Sequence, residues 1–129
     1  MKRLGIDYGA KRVGVALSDD GGTMAFPRVV LPAGSSLIND IKKIVEKEKV
    51  QEVIIGESKD FSGKENPIMI EIHDMKGKLE KALNIPVLFE PELMTSMEAD
   101  HIQGQSAMSD ASAAAIILQS YINRHSNDN

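Results

Sequence analysis

Apolar residues recur at every second position near the start of the chain. Leu4 and Ile6, then Val13, Val15 and Leu17, alternate with small or polar neighbours, which predicts strands over 3–8 and 13–18. The link between them, Tyr8-Gly9-Ala10-Lys11, is short and contains a glycine, so the two strands form a hairpin. Asp19-Asp20-Gly21-Gly22 predicts a second turn, and 25–31 a third strand, with Pro27 favouring a sheet edge. The period changes after Ser35-Ser36. Leu37, Ile41, Ile44 and Val45 fall on one helical face and Lys42, Lys43 and Glu46 on another, and either serine is placed to cap that helix.

Residues 51–56 read as a short central parallel strand, followed by a polar loop over 57–66. Asn66-Pro67 is a helix start, and Ile68, Ile72, Met75, Leu79 and Leu83 form its apolar stripe. Asn84 and Pro86 end it, and the stretch "PVLFE" gives a fifth strand. Thr95 and Glu98 have capping-box spacing, predicting a short helix to about Gly104. A last helix runs from about Ser109 to Arg124. Hairpins first and crossovers afterwards predict an α/β fold: a five-stranded mixed sheet, three antiparallel strands then two parallel, with helices on both faces. One domain over 1–124 and a polar tail over 125–129 are expected.

Composition narrows the function classes. The chain has 129 residues, 42% of them hydrophobic, enough for one core. It has no cysteine, so disulfides and thiolate metal sites are excluded. No apolar run is long enough to span a bilayer and no signal peptide is apparent, so a cytoplasmic protein with no membrane partner is expected. A net charge of −4 argues against coating nucleic acid by bulk electrostatics. After Lys81 the only basic residue is Arg124, against Glu90, Glu92, Glu98, Asp100, Asp110 and Asp128. Acidic groups without basic neighbours in sequence are either solvated surface or a cation site.

Asp7 interrupts an otherwise apolar strand, where Val or Ile would pack better. It either bonds the backbone of the following turn or binds a ligand. In mixed α/β sheets ligands gather beyond the carboxyl ends of the parallel strands. Asp7, Glu57 and Glu90 lie near such ends, and Asp110 opens the last helix. Ala111, Ala113, Ala114 and Ala115 let that helix approach the sheet closely, bringing Asp110 toward Asp7. Converging carboxylates repel unless a cation joins them, and oxygen ligands suit Mg²⁺ or Mn²⁺, the ions of phosphodiester hydrolysis. Each residue also has a plainer reading. Asp110 suits a helix first turn, Glu57 suits solvent, Glu98 fits its capping box, and His101 receives no role. Met69, Met94 and Met97 are candidates for an interface or for core filling.

"GIDYGAKRVGVALSD" from Gly5, then "ELMTSMEA", then "SDASAAAIILQSY", resembles the YqgF or RuvX family, RNase H-like proteins related to Holliday-junction resolvases. The resemblance spans about residues 3–124. It implies an RNase H-like fold and a metal-dependent nuclease that matures the 5′ end of the small-subunit ribosomal RNA precursor, on ribosomal precursor particles. It matches Asp7 and Asp110 to the family's first-strand and last-helix aspartates, and Lys11 and Arg12 to a basic pair that contacts phosphate. The site residues implied are therefore Asp7 and Asp110, with Glu57 or Glu90 as the assisting carboxylate, and Lys11 and Arg12 for nucleic acid.

Three departures from the family pattern stand out. Glu90-Pro91-Glu92 replaces Asp-Glu-Arg, and Glu57-Ser58 follows Gly56 where Leu-Pro is usual. "HIQGQSAM" is shorter and less basic than its counterpart, so weaker nucleic-acid binding with a shallow salt dependence is expected. Two other classes are carried along: a protein that keeps this fold and binds RNA or a partner without cutting, and an actin-like ATPase domain, to which "D-x-G-x-K" with "GVALSD" is similar. Branched DNA is the other candidate substrate, and oligomeric state is open.

Overall fold

The computed structural model describes residues 1–59, 67–93 and 106–125. Its elements are β1 (Arg3–Tyr8), β2 (Arg12–Ser18), β3 (Ala25–Pro32), α1 (Leu37–Glu48), β4 (Glu52–Lys59), α2 (Met69–Leu83), β5 (Val87–Leu93) and α3 (Ser106–His125). One sheet has the order β3-β2-β1-β4-β5. The β1–β2 and β2–β3 pairs are antiparallel, while β4 runs parallel to both β1 and β5. The expected mixed sheet, with β3 at an edge and β4 central, is what forms. The predicted capping box at Thr95–Glu98, Asn66, His101, Met94 and Met97 lie outside the described residues, and α2 begins not at Asn66-Pro67 but at Met69, with Ile68 at its N-cap and Pro67 in the turn before it.

Strand alternation sorts the core into two layers. Leu4, Ile6, Val13, Val15, Val53 and Ile55 turn to one face and pack with Leu37, Ile41, Ile72 and Leu79 of α1 and α2. Met69 is 1% exposed in this layer, so it fills core rather than an interface. Ala16 and Ile54 turn to the other face, where Ala114, Ile117, Leu118 and Tyr121 of α3 cover them. Among the described residues no helix is long and apolar enough to cross a membrane.

Several boundaries move from the expected ones, each for a physical reason. Ser36 precedes α1 but makes no side-chain cap; its backbone is already helical, so its hydroxyl donates to Asp40 Oδ2 at 3.2 Å instead. β4 continues through Glu57 to Lys59, because pairing with β5 persists from Glu57↔Pro91 to Lys59↔Leu93. Tertiary pairing overrides the polarity that predicted a loop there. Pro91 is tolerated because β5 is an edge strand. α3 begins at Ser106, which puts Asp110 in its second turn, not its first.

Candidate active site

The site is built on the α3 face of β1 and β2. Gly5 and Asp7 point to this face because Leu4 and Ile6 point to the other. Asp7 pairs directly with Gly14 on β2. A Cβ on Gly14 would overlap the carbonyl oxygen of Asp110, and a Cβ on Gly5 would lie 2.7 Å from Leu118 Cβ and 2.9 Å from the carbonyl oxygen of Ala114. Helix α3 therefore rests backbone-to-backbone on two glycines, with buried Ala113 and Ala114 completing the close approach. The alanine stripe of α3 pointed to this contact. Its partners, Gly5 and Gly14, were missed, although their alternation with Ile6, Val13 and Val15 was the available signal.

Gly14 thus has Asp7 as its strand partner and Asp110 directly above it. The two aspartates are close enough for the charge of Asp110 to act on Asp7. Burial, and secondarily the charge of Asp110, push the Asp7 carboxyl up to about 6. Asp110 is 25% exposed and forms an ion pair with Arg12, whose Nε lies 2.9 Å from Asp110 Oδ2. Arg12, expected to face phosphate, therefore has a carboxylate partner. Lys11 is exposed on the hairpin, whose backbone is anchored by a hydrogen bond from Ala33 N–H to the Lys11 carbonyl at 2.9 Å. The helix-dipole explanation of Asp110 weakens, since that effect fades within the first turn.

The structure does not bring the two glutamates to this pair. Glu57 shares the parity of Val53 and Ile55, so β4 directs it to the α1–α2 face, opposite Asp7. Glu90 does face α3, but it is 2% exposed and both its oxygens are engaged. Ser120 Oγ donates to Oε2 at 2.8 Å and Arg124 Nη1 to Oε1 at 3.1 Å. Ser120 lies ten residues beyond Asp110, about 15 Å along the helix axis. Among the described residues no three acidic or histidine side chains converge as a metal site.

Glu90 ties the far end of α3 to β5. Glu90→Gln keeps the shape but sets an amide N–H₂ against Arg124, or loses the charge that Arg124 neutralises. We expect a loss of about 1–2 kcal/mol in denaturant unfolding, moderated by the exposure of Arg124. Calorimetry should show unchanged Mn²⁺ affinity; a loss of affinity would place Glu90 in the metal site after all.

A 3-2-1-4-5 mixed sheet with helices on both faces is an RNase H-like fold, here with one aspartate on its first strand and a second on the helix that packs across that strand. The fold likeness extends to solved structures. Thermus thermophilus RuvC in complex with a Holliday junction substrate superposes with a TM-score of 0.59 at 15% identity, covering 98% of this chain and 96% of that one. The family model RuvX, described as Holliday junction resolvase, matches residues 1–124, and the chain belongs to that family. It is accordingly a hydrolase acting on phosphodiester bonds. A protein of Nitratidesulfovibrio vulgaris named "Putative pre-16S rRNA nuclease" is 33% identical over 95% of this chain and 94% of its own. One of the same name from Caldanaerobacter subterraneus subsp. tengcongensis is 34% identical, covering 98% of this chain and 99% of its own.

Proposed function

We propose that the chain is a divalent-metal-dependent nuclease that trims the 5′ end of the small-subunit ribosomal RNA precursor, with Asp7 and Asp110 as its metal ligands. One observation is the main support: two aspartates from distant parts of the sequence meet across Gly14, at the expense of raising the Asp7 pKa. A pair of facing carboxylates is unfavourable by itself and is what a hard cation relieves. The donor set is all oxygen, and Mg²⁺ needs only one or two carboxylates, with water and substrate phosphate completing the shell. The residues present therefore fit Mg²⁺ or Mn²⁺ without Glu57 or Glu90.

When bound, such an ion supplies Lewis-acid stabilisation of charge on phosphoryl oxygens. The chain's own residues supply the rest. Asp7 is held by the sheet and Asp110 by a helix packed on glycine, so neither can drift away from the other. Rigid elements of this kind hold a site more tightly than loops do. Arg12 and Lys11, on the hairpin beside the pair, present positive charge to a phosphate backbone.

Ribosomal RNA is favoured over branched DNA because the relatives at 33–34% identity bear the RNA name, whereas the junction-bound neighbour is alike in fold at 15% identity. Incubating the purified chain with Mn²⁺ and either an RNA bearing the 5′ leader or a four-way DNA junction tests this. Cleavage of the RNA, abolished by EDTA, is the expected result. Preferential cutting of the junction would reassign the substrate, and RNA binding with neither substrate cut would leave a non-catalytic RNA-binding protein.

A further inference from the structure

We infer that Arg12 is a positioning residue that alternates between two anions, Asp110 when the site lacks a cation and a substrate phosphate when a cation is present. The inference rests on the two-aspartate reading and deepens it. Arg12 begins β2, two residues before Gly14, and its Nε lies 2.9 Å from Asp110 Oδ2. That oxygen belongs to one of the two carboxylates proposed as ligands, so guanidinium and divalent ion compete for it. The Arg12 side chain is 61% exposed and has solvent to swing into.

An ion pair this exposed is weak, so a divalent cation displaces it at little expense. The guanidinium cannot lose its proton, so once displaced it remains a cation next to the site. Its planar fork matches phosphate oxygens, the anions that a nucleic-acid substrate brings to that place. Cation and substrate then bind with positive coupling, each favouring the state in which Arg12 has left Asp110, and the coupling must be reciprocal. Such a device keeps Asp110 neutralised at rest and releases the phosphate anchor only when the site is loaded.

Calorimetry with Mn²⁺ alone, on wild type, Arg12→Ala, Arg12→Lys and Asp110→Asn, tests the competition. Without its competitor, Arg12→Ala should bind Mn²⁺ roughly two- to fivefold more tightly than wild type, the range expected for removing an exposed pair. Binding of an RNA hairpin in Ca²⁺ and in EDTA tests the second half. The cation should steepen the wild-type dependence of log K on log salt by about one more counter-ion than in Arg12→Ala. Arg12→Lys should restore that increment. Thermal melts check that each variant is folded. Unchanged or weaker Mn²⁺ binding by a folded Arg12→Ala, or equal salt increments in both proteins, would overturn the inference while leaving the two-aspartate site intact. If wild type binds no Mn²⁺, or Asp110→Asn binds it equally well, the site reading itself falls, and this inference with it.

Discussion

Asp7→Asn is expected to abolish Mn²⁺-dependent cleavage while making the metal-free protein more stable above pH 6. The loss of activity should be on the order of 10³-fold or more, since removing one of the two carboxylates proposed as metal ligands would forfeit several kcal/mol of transition-state stabilisation. The gain in stability follows from the carboxyl itself. Its pKa is about 6 in the folded chain against an ordinary carboxyl value of 3.8, first because of burial and then because of Asp110. Between those values the folded state holds a proton that the unfolded state has released. Stability is therefore greatest below about pH 4, falls as pH rises, and has lost its full amount above about pH 6, by up to about 3 kcal/mol.

Asparagine has no such proton to lose. Denaturation in EDTA should show variant and wild type close together near pH 4 and diverging toward pH 7. Saturating Mn²⁺ should close the gap, because a ligand that binds only the folded wild type returns stability by mass action. Equal stability of the two proteins at pH 7 in EDTA would mean that Asp7 is not in the buried, repulsive setting described above. Retained cleavage would remove it from the active site.

Gly14→Ala should cost about 3 kcal/mol or more, and should also remove metal binding, although Gly14 has no side chain to take part in chemistry. The new methyl would overlap the Asp110 carbonyl oxygen and sit 2.9 Å from the backbone nitrogen of Ala111. Both are main-chain atoms of a helix, with no side-chain torsion to relieve the contact. The helix must lift from β2, and Asp110 must move with it, away from Asp7. Gly77→Ala provides the contrast. That glycine lies within α2 with nothing inside 4 Å of its absent Cβ, so alanine there should raise stability by about 0.5–1 kcal/mol. Denaturant unfolding and Mn²⁺ calorimetry on both variants separate a local clash from a general intolerance of alanine. A stable, metal-binding Gly14→Ala would show that the close approach of α3 is not what assembles the site.

The hydrophobic pattern by itself determined the elements, because periods of 2 and 3.6 are local properties of the backbone. Leu4-Ile6 and Val13-Val15-Leu17 predicted the hairpin, Leu37-Ile41-Val45 predicted α1, and Pro27 predicted the edge strand. Asp7 was conspicuous for the same local reason, as a charge in an apolar strand. The alanines of α3 announced a close approach but not its address. The address depends on two glycines about a hundred residues away, which no local pattern links to Asp110.

Strand parity separates Asp7 from Glu57, and it becomes decisive only once α3 is known to cover the face that Gly5 and Asp7 share. Glu90 reached the correct face and was claimed there by Ser120 and Arg124. Arg12, legible as a basic residue beside the first strand, found a carboxylate that only packing could deliver. Side-chain direction along a strand follows from bonded geometry. Which helix lies above which face, and hence which charges meet, follows from long-range burial of surface, and that is decided by the chain as a whole.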